Sequence, residues 1–112
     1  MAKGKVVKAI EFLKQCLIES NLKVTRIVLF GSQARGTSTE KSDIDVVIVS
    51  EDFEGKNIFE RAFLTKDAEI RTIKKYMVPL DIITLTPKEW KGERSLIVSY
   101  AKEGKVVYGQ QD

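Results

Sequence analysis

Two aspartates open a short apolar segment, and a glycine-serine pair precedes them, within the stretch FGSQARGTSTEKSDIDVVIV of residues 30–49. Residues two apart on a strand point to the same face, so a strand here projects Asp43 and Asp45 together and turns Ile44 away. Two ionised carboxylates this close repel each other unless a cation lies between them. Ligation by oxygen alone favours a hard divalent ion, so the pair predicts a site for Mg²⁺ or Mn²⁺.

The counts of histidine and cysteine exclude several kinds of catalytic and structural site. The chain contains no histidine, which excludes imidazole bases, Ser-His dyads and most transition-metal sites. Its one cysteine, Cys16, forms no disulfide framework, which predicts a cytoplasmic protein. Cys16 lies within a predicted helix and is interpreted as a packing residue.

A third carboxylate is predicted beside the pair by topology. The helix predicted at residues 58–76 connects the strand of Asp45 to a strand at 79–86, and such a crossover makes neighbouring strands parallel. Asp81 lies near the start of its strand, as Asp45 does. Parallel neighbours about 4.8 Å apart would place Asp81 beside the pair. Three carboxylates can hold two metal ions about 3.5–4 Å apart, an arrangement suited to in-line displacement at phosphorus.

The glycine-serine turn belongs to the same predicted site. If the strand at 24–30 runs antiparallel to the aspartate strand, its end meets the beginning of that strand. The backbone N–H groups of the turn and the Ser32 hydroxyl would then form an anion cradle at a helix start, suited to phosphate. Gly31 allows a close backbone approach, and Arg35 adds a permanent positive charge. The spacing is not that of a Walker loop.

The elements that must position these residues alternate between helix and strand. Helical periodicity and caps predict further helices at 5–20 and 95–103, and a last strand at 105–108. The predicted fold class is therefore α/β, a single small domain over residues 1–112 with a mixed β-sheet flanked by helices. In the 58–76 helix the apolar stripe is expected to face the core, and it consists of Phe59, Phe63, Ile70, Ile73 and Met77. The polar middle of this helix, Lys66, Asp67 and Glu69, predicts that the helix is only partly buried.

Capping signals mark two helix starts. Asn57 with Glu60 three residues later, and Thr86 with Glu89, both have the spacing of a capping box. Trp90 follows the second box, and packing over that helix start is preferred to stacking on a nucleobase.

Charge and hydropathy describe an ordinary globular chain. The 112 residues are 43% hydrophobic and 31% charged, with a net charge of +3. No apolar run approaches membrane-spanning length and no signal sequence is evident, so no membrane association is expected. Residues 1–41 are strongly basic, which could steer a polyanion towards the acidic site or be no more than a solvated face.

Against this background the motifs resemble a known family. GSQARG followed by SDIDVVIV resembles the minimal nucleotidyltransferases of the DNA polymerase β superfamily, and the resemblance extends from residue 24 through VPLDIITL. It implies the polymerase-β-like nucleotidyltransferase fold. It also implies that Gly31 and Ser32 contact the terminal phosphates of a nucleotide, while Asp43 and Asp45 bind two Mg²⁺ ions. Asp81 matches the third carboxylate by strand position, and Arg35 matches a residue whose role in the family is less uniform.

The resemblance also implies a reaction and a partner. The family transfers a nucleoside monophosphate, here AMP from ATP or a unit from another NTP, to a hydroxyl acceptor. No extra domain to hold the acceptor is expected, and in small members of the family the partner is commonly a HEPN toxin whose tyrosine is adenylylated. An antitoxin role in the cytoplasm is the leading expectation.

Two alternatives stay open, and a third is disfavoured. The acceptor could be a small hydroxylated molecule such as an aminoglycoside, with a partner chain or a homo-oligomer completing the pocket. The chain could instead be a non-catalytic antitoxin that binds and blocks its partner. Direct nucleic-acid binding is disfavoured, because the aromatics are expected on core stripes and not on a basic stacking surface: Phe12, Phe30, Phe53, Phe59 and Phe63.

Overall fold

A computed structural model describes residues 4–36, 43–92 and 96–109, and the side chains of Ser32, Arg35, Leu96, Ile97 and Tyr100 lie outside this description. In these ranges the elements follow in the order α1 (Gly4–Glu19), β1 (Arg26–Phe30), α2 (Gly31–Arg35), β2 (Ile44–Val49), α3 (Ile58–Tyr76), β3 (Leu80–Leu85), α4 (Pro87–Gly92), α5 (Leu96–Lys102) and β4 (Lys105–Tyr108). The predicted helices and strands are confirmed, with bounds that differ by at most two residues. The predicted loop at 37–42 lies outside the described residues. No helix in the described ranges is long and apolar enough to cross a membrane.

The strands form a mixed sheet in the order β3-β2-β1-β4. β1 runs antiparallel to β2 and β4, and β2 runs parallel to β3, to which α3 connects it. The antiparallel turn and the parallel crossover predicted from the sequence are both confirmed. β1 and β2 are central and almost fully buried, whereas β3 forms an edge of this sheet.

Alternation along β2 divides the core between two faces of the sheet. Ile44, Val46 and Ile48 pack with α1 and α3 on one face. Val47 and Val49 pack on the other face with Trp90 of α4 and with α5. Since side chains alternate along a strand, Asp45 belongs to the face of Val47.

α1 confirms the helix predicted from the periodicity of apolar residues at 5–20. Val6, Ile10, Leu13 and Leu17 are all buried in the core on the α1 side of the sheet. Cys16 is buried with them, and its burial raises the pKa of the thiol above the ordinary value. A buried thiol of raised pKa is unreactive, so the packing interpretation of Cys16 is confirmed.

α3 begins as predicted but faces the opposite way. Asn57 Oδ1 accepts a hydrogen bond from Glu60 N at 2.9 Å, and Glu60 Oε1 accepts one from Asn57 N at 2.8 Å. The prediction that the apolar stripe is buried is nevertheless wrong for all but Ile73. Phe59 is 82% exposed, Phe63 78%, Ile70 42% and Met77 80%.

Small residues take the inward positions of α3 instead. Thr65, Ala68 and Thr72 are buried against the rest of the fold. The threonine hydroxyls donate to carbonyl oxygens of their own helix, Thr65 to Ala62 O at 3.2 Å and Thr72 to Ala68 O at 2.8 Å. Because their polar groups are satisfied within the helix, they can be buried at little cost, and a hydropathy pattern does not reveal this.

The second capping box and the tryptophan behave as predicted. Glu89 Oε1 accepts from Thr86 N at 2.8 Å, and Thr86 Oγ1 accepts from Glu89 N at 3.0 Å. Trp90 is buried in the second core, with the cationic groups of Arg26 and Lys102 at 5.6 and 5.4 Å from its ring. The packing interpretation of Trp90 is therefore confirmed.

Candidate functional site

The site begins with two aspartates on neighbouring strands. Asp45 of β2 and Asp81 of β3 occupy paired positions in the parallel register. Strand neighbours lie about 4.8 Å apart, and paired residues of parallel strands leave the same face of the sheet. Ile44 N donates to Pro79 O at 2.9 Å, which starts the pairing just before the aspartates. The predicted adjacency of Asp45 and Asp81 is confirmed.

Asp43 lies immediately before β2 and is exposed. Among residues 4–36, 43–92 and 96–109, no three Asp, Glu, Cys or His side chains are gathered closely enough to hold a metal ion. The structure thus brings the strand positions together without forming a three-carboxylate cluster. The donor set consists of carboxylate oxygens without imidazole or thiolate, and this chemistry fits Mg²⁺ or Mn²⁺.

Gly31 joins the site because its backbone lies against Asp45. Phe30 pairs with Asp45 across the antiparallel strands, and Gly31 follows with a φ of 73°. A Cβ at Gly31 would overlap the Asp45 carboxylate and lie 3.2 Å from its Cγ. Glycine is required here both for the left-handed backbone and for the close approach.

The turn continues into the short helix α2, which contains the other two predicted nucleotide contacts. Gln33 of α2 is buried, and Gly36 after it has a φ of 76°. The side chains of Ser32 and Arg35 lie outside the described residues. The roles predicted for them remain predictions.

A groove runs along the outer edge of β3 and ends at Asp81. It has a volume of about 610 Å³ and is lined by β3, by α3 and by the start of α4. Arg61 and Glu69 of α3 lie at different positions along the groove. Arg61 donates a hydrogen bond to Thr84 O, whereas Glu69 lies close enough to Asp81 for that carboxylate's charge to raise its pKa. The groove therefore leads along an edge strand to one of the predicted catalytic carboxylates.

An ion pair closes the far end of the groove. Arg61 Nη1 donates to Glu89 Oε1 at 2.7 Å and to Thr84 O at 3.3 Å. Burial alone would raise the pKa of Glu89, but the hydrogen bonds from Arg61 and Thr86 and the charge of Arg61 together lower it. Glu89 is therefore held ionised, and Arg61 covers a carbonyl of the open strand edge.

Glu69 is a fourth carboxylate beside the site that the sequence did not identify. Burial raises the pKa of Glu69 above its ordinary value, and the negative charge of Asp81 raises it further. In the sequence Glu69 belongs to the polar middle of the 58–76 helix, and nothing there links it to the site. Its spacing of four residues from Thr65 and three from Thr72 would have indicated the groove side, had the inward face of α3 been recognised.

Comparison with known proteins agrees with this geometry. The sequence model of the nucleotidyltransferase domain family matches residues 8–108. A Methanocaldococcus jannaschii protein with the provisional name protein adenylyltransferase MJ0604 is 30% identical over 115 residues, which cover 96% of this chain and 100% of that protein. A second protein of the same organism, with the provisional name protein adenylyltransferase MJ1305, is 28% identical over 104 residues, which cover 91% of this chain and 70% of that protein. The chain belongs to the nucleotidyltransferase domain family, and it is a nucleotidyltransferase.

Solved structures show the same fold. A chain of a toxin–antitoxin crystal structure with AMP-PNP superposes with a TM-score of 0.62 at 19% identity, covering 88% of this chain and 73% of that chain. A Sulfolobus solfataricus protein, provisionally described as a nucleotidyltransferase, superposes with a TM-score of 0.60 at 24% identity. The match covers 100% of this chain and 95% of that chain. A chain from the complex of the tri-AMPylated Shewanella oneidensis HEPN toxin with MNT antitoxin superposes with a TM-score of 0.53 at 18% identity. The match covers 92% of this chain and 74% of that chain. The predicted nucleotidyltransferase fold is thus confirmed.

Proposed function

We propose that this protein transfers AMP from ATP to a hydroxyl group of a partner protein, a tyrosine of a HEPN toxin, and so acts as an antitoxin. The observation that carries the proposal is the pairing of Asp45 with Asp81 beside the close turn at Gly31. The names of the two relatives support a protein acceptor. The complex of a modified HEPN toxin with MNT antitoxin, which shares the fold, supports the toxin as that acceptor.

In this proposal the carboxylates hold the cations. Asp43, Asp45 and Asp81 would hold two Mg²⁺ ions, with Mn²⁺ as a substitute. When bound, the ions supply charge neutralisation at the phosphates and polarisation of the acceptor hydroxyl. The transfer then depends on positioning and charge more than on a tuned base, which agrees with the absence of histidine.

The turn after β1 holds the leaving group. Its backbone N–H groups and the Ser32 hydroxyl donate to the terminal phosphates of ATP, and Arg35 adds positive charge. Gly31 keeps the turn close to Asp45, because any side chain there would occupy the space of the Asp45 carboxylate. The nucleotide is thereby held between the turn and the two strand positions.

The acceptor enters from the groove beside β3. Its hydroxyl oxygen forms a bond to the α-phosphorus as the bond from that phosphorus to the α–β bridging oxygen breaks. Pyrophosphate leaves, and the hydroxyl proton passes to the carboxylate of Asp81. Asp81 suits this role because it lies where the groove meets the carboxylate pair.

Intact-mass spectrometry tests the proposal. The protein is mixed with a HEPN-domain protein from the same genome, ATP and Mg²⁺ in reducing buffer, as in the cytoplasm. The HEPN protein should gain one or more adenylyl units. An unmodified HEPN protein in a stable complex would instead favour the blocking antitoxin. Absence of both modification and complex would favour a small hydroxylated acceptor.

A further inference from the structure

α3 presents an apolar stripe to solvent. The stripe consists of Phe59, Phe63, Ile70 and Met77, and these side chains are all exposed. Spacings of four and seven residues keep Phe59, Phe63 and Ile70 within about 40° of one line on the helix, and Met77 follows as the left-handed C-cap residue, about 27 Å along the axis from Phe59. This is the spacing of a seam between packed helices, and it is long for an apolar patch without a partner.

Phe59 and Phe63 also form a small concavity. With Lys56, Glu60 and Leu64 they line a shallow hollow of about 440 Å³. A hollow between two exposed aromatic rings can receive an apolar side chain from a docked partner. The N-terminal half of the α3 stripe is therefore the better-formed part of the surface.

Several lysines beside the α3 stripe have no ion-pair partner in the part of the chain that the structure describes, whereas an acid beside it is paired. Among the described residues, Lys56, Lys66 and Lys74 make no ion pair, and all three are exposed. Asp67 pairs with Arg71 at 3.9 Å, whereas Glu60 accepts a hydrogen bond from a backbone N–H group in the capping box and keeps its charge. Of these described side chains, three lysines therefore stand against one uncompensated carboxylate, so the border is net positive and the surface fits an apolar partner with an acidic border.

The α3 stripe lies beside the groove that leads to Asp81. Glu69 on the same helix lines that groove, and Ile70 of the stripe is its direct neighbour in sequence. Ala62 and Ile58 line the groove as well, between the stripe and β3. A macromolecule seated on the α3 stripe would hold its adjoining segment at the groove.

We propose that the α3 stripe docks a helix of the acceptor protein, and that this helix has an apolar seam flanked by acidic side chains. The inference rests on the proposed function, since it names the surface that brings the acceptor to Asp81. The aliphatic half of the stripe, Ile70 and Met77, suits helix packing and offers no base-stacking surface, which disfavours a single-stranded nucleic acid.

A second copy of this chain fits the surface less well. If two α3 helices packed antiparallel about the centre of the stripe, Lys66 of each copy would lie about 6 Å along the axis from its equivalent. Two like charges at the middle of an apolar seam are destabilising. An acidic partner helix removes this repulsion.

Isothermal titration calorimetry without ATP tests the surface. The HEPN-domain protein from the same genome is titrated into the wild type, Phe63→Glu, Ile70→Glu, Lys66→Glu and Ile18→Glu. Ile18 is the matched control, because it is 42% exposed on α1, as Ile70 is on α3. Phe63→Glu should raise Kd by at least about tenfold. Ile70→Glu and Lys66→Glu should raise it as well, Ile18→Glu should not, and unchanged thermal midpoints would show intact folds.

The outcomes separate this inference from the proposed reaction. A complex that depends on the α3 stripe, with a partner that ATP leaves unmodified, supports the docking surface and contradicts AMP transfer. A wild-type Kd in Phe63→Glu, or no complex with the wild type, overturns the docking surface. It is also overturned if Phe63→Glu dissociates a wild-type homodimer, or abolishes binding of a labelled single-stranded RNA.

Discussion

Asp45 and Asp81 are each the second residue of their strand, and they stand side by side in the parallel register of β2 and β3. Their spacing is thus set by the hydrogen-bonded sheet and not by a loop. A site on regular strands is held more precisely than one on connecting segments. Changes of charge at these positions should therefore alter binding while the strand pairing persists.

The first prediction concerns the pair before and within β2. Replacing Asp43 and Asp45 together with Asn removes two negative charges that we propose to hold Mg²⁺. ATP binding in the presence of Mg²⁺ should be lost, while the fold persists because Asp43 lies before β2 and the main-chain pairing of Asp45 is unchanged. Calorimetry with ATP and Mg²⁺, paired with thermal unfolding, measures both effects. Unchanged ATP affinity in a folded double variant would contradict the metal assignment.

The second prediction separates backbone strain from crowding at the turn. Gly31 and Gly55 share a φ of 73°, but a Cβ meets the Asp45 carboxylate at Gly31 and nothing within 4 Å at Gly55. Gly55→Ala should cost about 1–2 kcal/mol from the left-handed backbone alone. Gly31→Ala should cost more, and it should also abolish transfer.

Chemical denaturation and the transfer assay measure this difference. Gly55→Ala serves as the control for strain and should transfer AMP at the wild-type rate at a temperature where it is folded. Equal stability losses at the two glycines would show that the turn does not press on Asp45. Normal transfer by Gly31→Ala would remove the turn from the site.

The strand positions that form this site were predicted correctly from the sequence, because strand pairing determines them. Period-two alternation and the connecting helix determine strand direction, so Asp45, Asp81 and Gly31 could be placed together from the order of the elements alone. The register of β2 against β3 was expected because each aspartate lies near the start of its predicted strand, and the structure pairs them. Sequence patterns were sufficient to predict these positions because hydrogen bonding between strands determines them.

The orientation of α3 could not be predicted in the same way. An apolar stripe predicts a buried face only if nothing else covers it, and a stripe that serves a partner gives the same pattern as one in the core. The buried threonines Thr65 and Thr72 concealed the true inward face, since their hydroxyls are satisfied within α3. Glu69 was missed for the same reason.

The third prediction follows from the raised pKa of Glu69. Burial and the charge of Asp81 penalise its ionised form, so its folded-state pKa lies above the ordinary 4.5. Stability is then fully present below the unfolded pKa and is lost as pH rises through the folded value. Glu69→Gln, measured in EDTA, should unfold at a higher temperature than the wild type at pH 7. The gain should disappear as the pH falls below about 4.5.

Glu89 provides the control of opposite sign. Its folded-state pKa is lowered, so its stabilisation is present above the ordinary 4.5 and is lost as pH falls through the folded value. Glu89→Gln should therefore lower the thermal midpoint at pH 7, with a deficit that shrinks in acid. If both variants respond to pH in the same direction, the electrostatic description of the groove is wrong.

The last prediction concerns Asp81, where chemistry and docking should separate. Asp81 is exposed at the start of an edge strand, and the α3 stripe lies on a different element, so Asp81→Ala should leave the HEPN complex intact. Transfer should fall by roughly 10²- to 10⁴-fold, because the group that receives the acceptor proton is removed. Calorimetry should give the wild-type Kd, and intact-mass spectrometry should show the partner without adenylyl units. A variant that still modifies the partner at the wild-type rate would exclude Asp81 from the reaction. One that no longer binds the partner would place Asp81 in the interface.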